Sequence, residues 1–406
     1  MDATQILATL NTPEGRADPY PLYAQLHEMG EVLDVRPGDA GPGDILAVGY
    51  DAISSVLRDP GFRVGDGSDF GQDSGWQESP VLVQGMDWIL NLNAPRHSRI
   101  RSLIARAFTA RRIAGLEPAI AKMADELLDT IADRGADGST VEFMHDFAFL
   151  LPVNVICELI GIPEDDREGF RPVASDLAGV FELNDVETLP AINAAAIELL
   201  SYFSELAARR RADPRDDLLS DLLAVSDAAD GRLTDAELLH NLTLLLVAGF
   251  ETTTNLLGNG LQLVLRDSAA AAAVYDDSVP PSAFVEEVLR YDSPVQLTSR
   301  MGYNTELYGV PVTPETSVLT VLGAGNRDPR RFAEPDKFDP GRREGGPLSF
   351  GGGAHFCIGA ALARLEGAVA FPRLFSRFPN IVPAGEPVRR DRLVLRGFEI
   401  LPITIA

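Results

Sequence analysis

The sequence predicts a mainly α-helical fold with small β-sheets, folded as a single domain over residues 1–406. Three observations carry this reading. Apolar residues recur at helical spacing through most of the chain, as in IAKMADELLDTIAD and IELLSYFSELAARRR. Strictly alternating stretches are few and short. No Gly/Ser-rich hinge divides the chain, and the proline-rich run DPRRFAEPDKFDPGRREGGP at 328–347 reads as an ordered meander.

Taken in order, EVLDV (31–35) and DILAV (44–48) predict a hairpin near the start, and TELYGVPVTPETSVLTVL (305–322) a second strand region. Between Trp88 and Leu116 there is no acidic residue, whereas Arg96, Arg99, Arg101, Arg106, Arg111 and Arg112 all fall there. In a chain of net charge -25 this segment is either a solvated helix face or a surface for something negative. Cys157, inside VNVICELIGI, reads as a small core residue. Residues 180–193 are expected to form a lid.

Thr234 and Glu237 form a capping box that starts a helix running to about Arg266, roughly 45 Å at 1.5 Å per residue. Its middle, VAGFETTTN (247–255), sets a glycine and three threonines into a Leu-rich run, and glycine alone costs about 1 kcal/mol in a helix interior. Ala248 and Thr252 share a face, so the Thr252 hydroxyl is expected to bond to the Ala248 carbonyl and bend or open the helix. Threonines satisfied by backbone carbonyls with no further role are the plain alternative. Gly249 is expected to admit a flat ligand, with Glu251 supplying an ionisable group beside it.

The stretch FGGGAHFCIGAALAR (350–364) places Cys357 behind three glycines and ahead of an apolar helix. A thiolate bound to haem iron requires backbone N–H donors and a helix N-terminus to keep its charge, and the glycines permit the backbone to approach. A cysteine nucleophile is the competing reading, but it needs a base and an orienting partner, and none is evident among the five histidines. A buried structural cysteine is the other.

The excess of acid excludes a nucleic-acid surface, which needs a cationic face. No apolar run reaches the ~18–20 residues of a membrane span, and the first twenty residues lack the pattern of a signal peptide, so a cytoplasmic protein with no membrane contact is expected. Two cysteines in separate contexts argue against a disulfide framework or a zinc site and fit a reducing compartment.

Phe350 to Ala360 resembles the haem-binding signature of the cytochrome P450 family. Further motifs agree: Ala248-Gly249-Phe250-Glu251-Thr252-Thr253 resembles its oxygen-activating helix, Glu287-Val288-Leu289-Arg290 its ExxR element, and Asn326-Arg327-Asp328-Pro329 with Phe338-Asp339-Pro340-Gly341-Arg342 its meander. Asn93-Ala94-Pro95-Arg96-His97, ahead of Arg101, departs from the usual DPPxH. The similarity spans essentially the whole chain and is nearest to the soluble bacterial members.

The resemblance implies the P450 fold and a haem-thiolate monooxygenase containing haem b, with Cys357 as the metal ligand. It implies haem contacts from Phe350, Gly351, Gly359 and Ala248, and propionate contacts from His97, Arg101, Arg300 and His355. Thr252 and Glu251 would be catalytic, the hydroxyl stabilising dioxygen and the carboxyl relaying protons. Glu287 and Arg290 would be structural. Trp88, Ile89, Leu90, Leu244, Val247, Val295, Leu297 and Ile400 would line a pocket for an organic small molecule of low polarity, in secondary metabolism. No flavin or iron-sulfur motif is present, so an acidic ferredoxin with its reductase is expected to dock at Arg111 and Arg112. A haem sensor, or an isomerase, dehydratase or phenol-coupling enzyme on the same fold, are the alternatives.

Overall fold

The computed structural model describes residues 1–36, 45–65, 79–106, 108–167, 169–181, 188–227, 233–276 and 278–405. Helices dominate, and the sheets are small, as the periodicity predicts. The two early segments pair antiparallel, Val32–Asp34 against Ile45–Ala47, with Val32 opposite Ala47. Ile45–Ala47 then pairs parallel with Ser317–Thr320, and Thr298–Met301 closes the four-stranded sheet, setting Arg300 opposite Val318. Thr305–Leu307 and Val310–Val312 form their own hairpin. The C-terminal strand Pro402–Thr404 lies between Val141–Glu142 and Val382–Pro383.

The central helix runs from Asp235 to Arg266, 32 residues, with both arms of the Thr234–Glu237 capping box present. It is buried on almost every side, because the helices Leu150–Ile160, Leu189–Ala212, Phe170–Ala178 and Ala360–Arg377 all pack on it. A helix apolar all round needs such a jacket. Gly249 serves that packing: a Cβ there would stand 2.9 Å from Ile156 Cγ1, so the glycine admits the neighbouring helix rather than a flat ligand. Cys157, on the same neighbouring helix, is fully buried, and burial pushes its thiol up to about 12. Of the expected lid, residues 182–187 lie outside the described residues.

The meander is held by one buried ion pair. Arg290 donates to both Glu287 oxygens at 2.7 and 2.8 Å, and the two residues are 2% and 4% exposed. The remaining Arg290 donors reach the carbonyls of Asn326 (2.9 Å), Pro335 (2.8 Å) and Lys337 (3.1 Å), while Glu287 accepts the Asp339 N–H (2.8 Å) and Arg342 Nε (3.2 Å). Nearly every polar atom of the pair is thus used on chain that has little regular structure of its own. Removing one partner strands a buried charge. Glu287→Ala is expected to lose about 3–5 kcal/mol in denaturant titration. Breaking the exposed Lys122–Glu126 pair, 76% and 63% exposed, should change stability by no more than about 0.5 kcal/mol. Equal losses in the two variants would contradict this role for the pair.

Candidate active site

The loop before the helix Ala360–Arg377 is closed by the Cys357 N–H donating to the Phe350 carbonyl at 2.9 Å. Gly351 and Gly353 take φ of +68° and +63°. At Gly353 a Cβ would also lie 2.1 Å from the Leu57 carbonyl oxygen, so no other residue fits. The Phe350 ring sits beneath the Arg364 guanidinium, 4.3 Å from its centroid, and Arg364 in turn pairs with Glu286. The helix begins three residues beyond Cys357, later than the expected start near Ile358. The Cys357 side chain is reachable from solvent yet closely surrounded by protein. Burial pushes its thiol up; the Gly359 N–H, then Arg101, Arg364 and the Ala360 N–H, pull it down. Those opposing groups are the ones a thiolate requires.

Beside it, four basic side chains converge. His97 is 2% exposed, its ring is 4.1 Å from that of His355, and its Nε2 has no hydrogen-bond partner among the described residues. Burial lowers His97, and Arg101 and Arg300 add to the shift. His355 is brought down to about 3 by burial, then by His97, Arg300 and Arg101. Arg300, 8% exposed, falls to about 10 through burial; it donates to the Ser299 carbonyl (2.7 Å) and Thr298 Oγ1 (3.4 Å). Arg101 donates to the Phe356 carbonyl. Among the described residues no carboxylate pairs with any of the four. Of the four, Arg300 is a buried cation with no counter-charge among the described residues and Arg101 is a half-buried one, a costly arrangement that a dianionic group would relieve. The two carboxylates of haem fit this cluster.

On the central helix, the Thr252 hydroxyl donates to the Ala248 carbonyl at 2.9 Å, as the spacing predicts, and Thr253 donates to Gly249 at 3.2 Å. The helix nonetheless runs unbroken, since a carbonyl has two lone pairs and can accept the hydroxyl beside its ladder bond. Glu251 is 1% exposed and its Oε1 accepts from Arg390 and, at 3.1 Å, Arg392, while Oε2 has no partner among the described residues. These two arginines are partners that sequence reasoning missed; the charges in RRDRLVLR were the available signal.

The expected pocket residues divide. Trp88, Ile89, Leu244 and Val247 are buried in one apolar cluster, against which Ala248 packs. Leu90 is 44% exposed, because the single 3-10 turn Ile89–Asn91 directs successive side chains apart and only Ile89 faces inward. Val295 bridges Leu395, and Leu297 packs instead with the N-terminal cluster around Ile6 and Tyr23. Ile400 is 41% exposed on the strand Phe398–Ile400, where the register against Val388–Arg389 shifts between it and the buried Phe398. The C-terminal residues beside Val295 are Val394 and Leu395, with the Gln296 N–H donating to the Val394 carbonyl at 2.9 Å.

The arginine segment is largely answered from within. Arg96 and Arg99 bind Glu237, and Arg112 is held by Asp221 (2.6 Å) and Asp216 (3.1 Å), so Arg112 is not a free docking cation. Arg111 is exposed and has no ion pair among the described residues; its helix, Ala110–Gly115, packs on the helix that follows Cys357. No helix among the described residues is long and apolar enough to cross a membrane.

This geometry has close counterparts in known proteins. The family model described as Cytochrome P450 matches residues 282–401. Cytochrome P450 monooxygenase PikC of Streptomyces venezuelae is 38% identical, over 95% of this chain and 91% of its own length. The 6-deoxyerythronolide B hydroxylase of Saccharopolyspora erythraea is 37% identical over 98% of each. The structure of P450BioI bound to an acyl carrier protein ligated with hexadec-9Z-enoic acid superposes with a TM-score of 0.88 at 32% identity, covering 97% of this chain and 100% of that one. A shared helical fold and likeness over nearly the whole length mean that this chain belongs to the cytochrome P450 family of haem-thiolate monooxygenases.

Proposed function

We propose that this P450 inserts one oxygen atom from dioxygen into a low-polarity organic substrate of secondary metabolism, by hydroxylation or epoxidation, as a single cytoplasmic domain of 406 residues. The observation that carries the reading is the sulfur of Cys357, faced by backbone N–H groups at a helix start beside an uncompensated basic cluster. Kinship with a 6-deoxyerythronolide B hydroxylase supports a secondary-metabolite substrate. A single domain is supported by Tyr20, which donates to Asp292 at 2.7 Å while Arg396 holds the same carboxylate at 2.7 Å.

Haem b, when bound through a cysteine thiolate, would supply the chemistry of dioxygen activation. The chain's own work is to hold that group and to manage protons. Cys357 Sγ is the ligand, with the Gly359 and Ala360 N–H groups and the helix N-terminus sharing its charge. His97, Arg101, Arg300 and His355 would hold the two carboxylates of the haem, and Phe350, Gly351, Gly359 and Ala248 would contact its ring. On the central helix, Thr252 Oγ1 rests on the Ala248 carbonyl and keeps lone pairs free to accept a proton donor. Glu251 is anchored through Oε1, leaving Oε2 to hold and pass the proton. Trp88, Ile89, Leu244 and Val247 exclude water and receive the apolar substrate, with Val295 on the other wall beside Val394 and Leu395, a placement supported by the bridge from Val295 to Leu395. Electrons come from an acidic ferredoxin and its reductase, docking near Arg111.

Three measurements test this. The reduced holoprotein under carbon monoxide should show the red-shifted Soret band of thiolate-ligated iron, and Cys357→His should move it to the histidine-ligated position; a wild-type band already at that position would refute the ligand assignment. Thr252→Ala should retain haem and consume reductant but release hydrogen peroxide, with product per reductant falling at least ~10-fold; full coupling would remove Thr252 from the chemistry. Arg111→Glu should slow reduction by ferredoxin at low ionic strength and lose its effect in high salt, whereas Arg112→Gln, which leaves Asp216 and Asp221 unpaired, should act mainly on stability. Unchanged reduction in the Arg111 variant would place the docking face elsewhere.

A further inference from the structure

One turn of the central helix grips the loop that precedes the helix Arg96–Ala105. Asn241, 2% exposed, donates through Nδ2 to the Asp87 carbonyl at 2.8 Å and to the Glu237 carbonyl of its own helix at 2.7 Å. Its Oδ1 accepts the Ile89 N–H at 2.9 Å. Both donors and the acceptor of the side chain are used, and a reversed amide would set its NH2 against the Ile89 N–H and its oxygen against two carbonyls. The orientation is therefore forced. The two loop atoms that Asn241 holds flank Trp88, whose indole is buried against Phe181 at a centroid separation of 6.4 Å.

Charged contacts surround this grip. His240 Nδ1 lies 2.7 Å from the Asp87 carboxylate, which also binds Arg96, and Arg96 and Arg99 bind Glu237. The side chains of Arg96 and Arg99 are 42% and 38% exposed, so solvent screens their contribution. Asn241 is fully enclosed and touches main chain, which it holds regardless of the side chains at 87 to 89. A buried amide that satisfies main-chain groups on both sides of one residue fixes that residue's backbone.

We infer that Asn241 is a specificity-positioning residue: it sets the loop Asp87–Ile89 against the central helix and so determines how Trp88 and Ile89 shape the substrate pocket. This rests on the reading that those two side chains line the pocket. Asn241 itself does not touch substrate. Its effect passes through the backbone of the loop, so losing it should change what the pocket accepts before it changes haem binding.

The test uses holoenzyme carrying Asn241→Leu, which keeps volume and removes every hydrogen bond, and Asn241→Asp, which keeps the acceptor for the Ile89 N–H but cannot donate to Asp87. Hydrogen exchange is followed over residues 86–92. Imidazole, small enough to reach iron without meeting the loop, and 4-phenylimidazole, which extends toward the pocket wall, are titrated as spectral probes. In Asn241→Leu the Ile89 amide should exchange about 10-fold faster or more, since a buried N–H loses its acceptor. The dissociation constant for 4-phenylimidazole should change by a similar factor, while that for imidazole stays within about two-fold. Asn241→Asp should lie between wild type and Asn241→Leu in both readouts. Unchanged exchange at Ile89 in both variants would overturn the clamp. Faster exchange with 4-phenylimidazole binding unaltered would overturn the specificity role and place the error in the pocket reading. If Asn241→Leu fails to bind haem, the same criteria apply to Asn241→Asp alone.

Discussion

On the role proposed for Cys357, its sulfur has to keep a charge inside the protein, and that is the constraint the surrounding fold answers. Desolvation raises the Cys357 thiol, and the fold answers with backbone N–H groups, a helix start and nearby cations. None of these can be supplied by a regular element alone. The loop has to double back so that the Cys357 N–H reaches the Phe350 carbonyl, and it does so by pressing Gly353 onto the Leu57 carbonyl, leaving no space for a Cβ. The ion pair Glu287–Arg290 then fastens the meander leading into that loop. Sulfur, loop and meander thus form one continuous support, in which each part removes a conformational freedom the next could not tolerate.

Buried charge is treated in two ways in this molecule, and the contrast is informative. Where the fold needs rigidity, charges are matched within the chain: Arg290 with Glu287, Arg210 with Asp217, and Asp292 with Arg389 and Arg396. In the cluster of His97, Arg101, Arg300 and His355 no acid pairs with any member among the described residues, and the histidines are held down by burial and by the neighbouring guanidinium groups. Arg300 is thus left as a buried cation with Arg101 half-buried near it, an arrangement that costs free energy as long as nothing anionic stands against it. An anionic ligand gives that gathering a purpose.

The central helix links these regions. Its first turns hold the loop around Trp88, its middle presents Thr252 and the half-anchored Glu251, and its flanks receive the helix that follows Cys357. Gly249, Thr252 and Thr253 look like defects in the linear chain because each departs from helix preference. In the folded molecule Gly249 makes room for Ile156, and the two hydroxyls lie along the helix on their i−4 carbonyls.

Local features were legible in the sequence because their causes are local. Periodicity, the Thr234–Glu237 box, the i, i+4 bond from Thr252 to Ala248 and the glycine loop before Cys357 each depend on residues within a few positions of one another. Tertiary structure alone decided what depends on meeting across the chain. Arg112 finds Asp216 and Asp221 about a hundred residues on, Arg390 and Arg392 reach Glu251, and Ile400 stands exposed beside a register shift while Leu395 meets Val295. Spacing cannot reveal such partners, since a charge or an apolar side chain carries no mark of which distant residue will desolvate it.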